Sequence, residues 1–126
     1  MDSLRAASIL KNLRTLHIRM KQHSHNTMYL AEKFENDGLK VVYPGLKSHP
    51  SHQIYSTMIN HEFGFGGMMT VDAGSLEKAN ALMELMQSKN LGYLAVSLGF
   101  YKTLFGTRNF NFLRNSNGRA KRNGFN

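Results

Sequence analysis

Six histidines and no cysteine set the first limits on what this chain can do chemically. Without cysteine there is no thiolate nucleophile, no thiolate metal site and no disulfide. His23 and His25 stand two apart in a helical pattern, a spacing that points them to different faces. His49 and His52 flank Pro50, and no acidic ligand lies between His49 and His61. Zinc needs three or four ligands with supporting partners, so no metal ligand is assigned. Beyond the N-terminus, only Glu62 and Asp72 are acids outside the predicted helices, and no Ser/His/Asp set has motif context. FGFGG at 63–67 has the wrong spacing for a nucleotide fingerprint, and a strand follows it where that fingerprint requires a helix. Its glycines read instead as a tight crossing into a strand, with Phe63 and Phe65 packing on the core. No catalytic residue is assigned.

The elements that would position these residues follow from periodicity. Apolar residues recur at helical spacing from Leu4 to Phe34, with Asp37-Gly38 as the stop. One long helix is predicted, bent near Gln22–His25, where the stripe is interrupted. LKVVY at 39–43 reads as a strand ended by Pro44-Gly45, and a short helix is expected over 51–59. MMTVDA at 68–73 is a second strand. A helix then starts at Ser75 as N-cap, with Glu77 at its dipole end and Leu82, Leu85 and Met86 facing inward. YLAVSLG at 93–99 is a third strand. Helices interleaved with strands at this spacing predict a mixed layer of helices on a sheet, although three strands make a thin one.

The chain has 126 residues and a formal net charge of +8. Five of its sixteen basic residues, Arg108, Arg114, Arg119, Lys121 and Arg122, lie in the acid-free stretch 106–126, which leaves eleven against eight acids elsewhere. That stretch also carries Phe110, Phe112, Phe125 and six asparagines, and reads as a disordered, sequence-neutral basic arm. Basic and aromatic residues together suit single-stranded nucleic acid, but no binding module accompanies them, so a nucleic-acid partner is not expected. No apolar run approaches 18 residues, so no membrane partner is expected. The start, MDSLRAASILKNLR, mixes charges into a helical pattern and lacks the apolar core of a secretory signal. Its Ser, Ala and Arg content loosely suggests a transit peptide, against which Asp2 argues. A reducing cytoplasmic location is the expectation.

Four blocks occur in one order: LRTLHIRMKQHSHNTMYLAEKFE, VVYPGLKSHPSH, GFGGMMTVDAGSLEKANALMELM and LAVSLGFYKTL. Together they resemble the C-terminal part of the pyridoxal-phosphate enzymes of Cys/Met metabolism, the trans-sulfuration family, and look most like its methionine gamma-lyase branch. Tyr43–His52 and Ala95–Gly99 are the most specific pieces, and the resemblance covers roughly residues 10–105. It implies an α+β fold, the long helix leading from a large cofactor domain into a partial small domain. That domain would hold a three-stranded, mainly antiparallel sheet with helices on one face. The boundaries implied are 1–38 for the linking helix, 39–105 for the partial small domain and 106–126 for the divergent tail.

The same resemblance implies pyridoxal 5'-phosphate as cofactor and a sulfur amino acid as substrate, with carbon–sulfur bond cleavage as the chemistry. Ser97, from the AVSLG block, and Leu98, through its backbone, are carried over as substrate-side contacts. A hydroxyl and a backbone N–H at a strand end can hold a carboxylate. The family's Schiff-base lysine, pyridine-facing aspartate and stacking tyrosine match no residue here, so no cofactor-binding residue is assigned. The family's later LVR-x-SVG strand is not matched either, and Arg108 and Arg114 are not promoted to its arginine's role. From Gly106 the pattern breaks off as an interrupted reading frame would leave it. An inactive fragment is expected, or alternatively a non-catalytic module that associates with itself or with a full-length relative.

Overall fold

Helix α1 (Ser3–Leu13) opens on Asp2, whose carboxylate accepts the Arg5 amide at 2.8 Å and satisfies one of the unpaired first-turn N–H groups. The computed structural model describes residues 2–95 and 102–107. Residues 1–72 form one compact unit and residues 73–126 a second.

In the first unit, α2 (Leu16–Asn36) follows α1 after a break at Arg14–Thr15. In place of the predicted bend at Gln22–His25, α2 is unbroken helix through that stretch, and the interruption comes about two turns earlier, at Arg14–Thr15. Ser24 explains the difference. It is buried on the inward face with Thr27 and Ala31, and its hydroxyl accepts a hydrogen bond from the Gly66 amide at 2.9 Å. A satisfied polar side chain can occupy a core position, so the apolar stripe need not be continuous. At 14–15, by contrast, no residue of α1 is buried to hold the helix in line. The Arg19 guanidinium donates to the Asn12 carbonyl at 2.8 Å across the break.

The predicted stop at Asp37-Gly38 holds. Gly38 has φ +83, and its amide and that of Leu39 return to the carbonyls of Glu35 and Phe34. This closes the helix by the left-handed turn that glycine adopts without strain. β1 (Lys40–Val42) then pairs antiparallel with β2 (Thr70–Asp72), in register Lys40↔Asp72, Val41↔Val71 and Val42↔Thr70. Between them lies α3 (His52–Met58), where a short helix was expected. Ala31, Tyr43 and Leu46 form the buried core, with Met28, Val41, Phe65 and Met69 packed on it.

The second unit holds α4 (Leu76–Ser88), β3 (Tyr93–Leu94) and β4 (Leu104–Phe105). Ser75 caps α4 as expected, its hydroxyl accepting the Lys78 amide at 3.2 Å. Leu82 and Leu85, expected to face inward, are exposed, while Met86 is half-buried. The expected three-stranded, mainly antiparallel sheet is also revised. Among the described residues the ladders are two: β1 with β2 antiparallel, and β3 with β4 parallel in register Tyr93↔Leu104 and Leu94↔Phe105. β4 lies in TLFG, whose short length hid it from periodicity. Of the third predicted strand, Tyr93–Leu94 is strand, and residues 96–99 lie outside the described residues.

Candidate functional site

The block from Tyr43 to His52 is where the chain concentrates its polar and aromatic chemistry. Pro44-Gly45 turns the chain out of β1, and the Leu46 amide donates back to the Tyr43 carbonyl at 3.1 Å. This turn carries the Tyr43 ring into the core, where it is fully buried. Its hydroxyl donates to the Gly66 carbonyl at 2.9 Å. Burial, and secondarily the Tyr55 phenol, raises the Tyr43 pKa above its ordinary value, because a phenolate would lose its hydration there.

Opposite this turn stands the glycine stretch. Gly64 adopts φ +68, and a β-carbon placed there would stand 2.9 Å from Ser24 Cβ. Only glycine meets both conditions, the left-handed backbone and the close approach to α2. Gly66 is thus held from two sides, its amide by Ser24 and its carbonyl by Tyr43. Phe65 between them packs on the core, as expected, and collects three rings. His52 stacks on it at 5.2 Å, Tyr55 at 5.9 Å, and Tyr43 meets it edge-on at 6.5 Å. Phe63, expected in the core, is half-buried beneath the Lys21 ammonium, 5.8 Å from the ring centre. Lys21 also pairs with Glu62 at 2.5 Å, which holds the Glu62 carboxyl below its ordinary pKa.

His52 Nδ1 lies 2.8 Å from the Pro44 carbonyl and therefore donates to it, while His49 Nδ1 accepts the Ser51 amide at 3.2 Å. Both rings are thus tied into the loop. Among the described residues no group of three or more histidines and acids comes together around a common point. An open depression of about 440 Å³ beside the loop is lined by Lys47, His52, Gln53 and Ser56.

Pyridoxal phosphate asks for a lysine amine, a phosphate cradle, a flat face for the ring and a carboxylate at the pyridine nitrogen. The depression has a lysine but no carboxylate in its lining. Every buried side-chain polar atom among the described residues already has a partner. The described residues do not form a seat for the cofactor. Sequence reasoning missed Ser24, Tyr43 and Gly66 as a linked set. Its only signal was the coincidence of a serine in the apolar stripe with a glycine-rich turn some forty residues on.

Ser97 and Leu98, the candidate substrate contacts, lie outside the described residues, as do Arg108 and Arg114. The flanks are described: the Tyr93 amide donates to the Thr103 carbonyl at 2.9 Å, and the Ala95 amide to the Phe105 carbonyl at 3.2 Å.

Comparison with known proteins places this geometry in a family. The model of the Cys/Met metabolism PLP-dependent enzymes matches residues 1–122. The match passes Gly106 and reaches into the stretch that block-by-block reading set apart. The chain is 40% identical over 105 residues to a methionine gamma-lyase of Arabidopsis thaliana, covering 82% of this chain and 24% of that protein. A cystathionine beta-lyase of Coxiella burnetii is 37% identical over 98 residues, covering 76% of this chain and 24% of the relative. A cystathionine gamma-lyase of Bos taurus is 38% identical over 97 residues, covering 75% and 22%. No solved structure matches. The chain spans about a quarter of the length of the curated relatives it matches. With the family model matching nearly end to end and relatives at 37–40% identity over most of this chain, the chain belongs to the Cys/Met metabolism PLP-dependent enzymes.

Proposed function

We propose that the chain is the small-domain part of a methionine gamma-lyase-like carbon–sulfur lyase, serving to frame a substrate site rather than to run the reaction. The observation that carries this reading is internal satisfaction. The Tyr43 hydroxyl is committed to Gly66, His52 Nδ1 to Pro44, His49 Nδ1 to the Ser51 amide and Ser48 to Glu35, and every buried side-chain polar atom among the described residues has a partner. The 40% identity to a named methionine gamma-lyase supports the substrate class, a sulfur amino acid. In this reading the Ser97 hydroxyl and the Leu98 backbone N–H hold the substrate carboxylate by charge-assisted hydrogen bonds. Pyridoxal phosphate, where an intact family member binds it, supplies the electron sink. No lysine of this chain corresponds to the one that would carry it. The chain alone is therefore inactive.

The test is direct. Purified chain incubated with pyridoxal phosphate and methionine should release no methanethiol and should lose all cofactor absorbance on gel filtration. Thiol release above the protein-free control would overturn the proposal. A second reading, a non-catalytic module that associates with itself or with a full-length relative, is favoured by the apolar surface on α4, where Leu76, Leu82 and Leu85 are exposed. Co-purification with an intact methionine gamma-lyase would support it, and a clean monomer that ignores the enzyme would count against it.

A further inference from the structure

We draw no further inference here: the strongest candidate, the open depression beside the Tyr43–His52 loop whose Lys47, His52, Gln53 and Ser56 would suit an anion, is a surface feature of a chain that spans about a quarter of its relatives' length, and nothing in the structure shows what covers it.

Discussion

Tyr43 concentrates the stabilising chemistry of the first unit in one side chain. Removing its hydroxyl strands the Gly66 carbonyl, which Tyr43 otherwise satisfies at 2.9 Å. Tyr43→Phe should cost about 1–3 kcal/mol in urea unfolding, the penalty of a buried acceptor left without its donor. A loss within error would mean that water replaces the hydroxyl. The raised phenol pKa sets a pH window as well. The unfolded phenol ionises near 10.0, whereas the folded one resists, so the stabilisation is complete below that pH and is lost as pH rises through the higher folded value. Alkaline unfolding of the Tyr43→Phe variant should lack this component. Gly64 gives a second test at the same scale. Gly64→Ala must accept φ +68 and a 2.9 Å approach to Ser24, and should lower stability by about 1–2 kcal/mol or more. Glu62 behaves in the opposite sense to Tyr43. Its carboxyl is lowered by the Lys21 hydrogen bond and charge, so its contribution is present above 4.5 and fades as pH falls through the lowered folded value. Both side chains are exposed, so salt should erase the effect, and Glu62→Gln should remove it. A pH dependence below 4.5 that survives in Glu62→Gln would assign it to another carboxylate.

At the scale of elements, caps and stops were legible and strand pairing was not. Ser75 and Gly38 act where their residue types predicted, because a hydroxyl accepting a first-turn amide and a glycine at positive φ are local events. Ser75→Ala should accordingly cost about 1 kcal/mol and appear as reduced helix content in α4. An unchanged circular dichroism spectrum would show that the cap is idle. The break between α1 and α2 shows where local reading fails. Gln22–His25 looks like an interruption because Ser24 is polar, yet Ser24 is the residue that joins α2 to the glycine turn, forty-two positions away. No helical periodicity can report a partner at that distance. The β3–β4 pair was missed for a related reason: two-residue strands carry no alternation, and their pairing is decided by the register at Tyr93↔Leu104.

For the whole molecule, the chain spans about a quarter of its curated relatives, and its conduct in isolation is the open biochemical question. Absent lyase turnover, together with hydrogen-exchange protection in β1 and β2, would show a folded part that lacks its catalytic complement. Complete exchange of both strands would instead show that the motif loop needs the rest of an enzyme to form. The two-stranded β1–β2 sheet depends on Tyr43, Leu46 and Ala31 behind it, because a lone hairpin-sized sheet is marginal in water. Tyr43→Phe and Gly64→Ala should therefore reduce protection in both strands together.

By itself the sequence determined the family, the Ser75 cap, the Gly38 stop, the short helix near residue 52 and the turn chemistry of YPGL and FGFGG. All of these are written in residue types over a few positions. Tertiary structure alone decided that Ser24 and Tyr43 hold the amide and carbonyl of Gly66, that α2 is continuous where it looked interrupted, and that β3 pairs in parallel with β4. Those outcomes rest on hydrogen bonds and contacts between residues far apart in the chain, where burial settles whether a polar group breaks an element or anchors it.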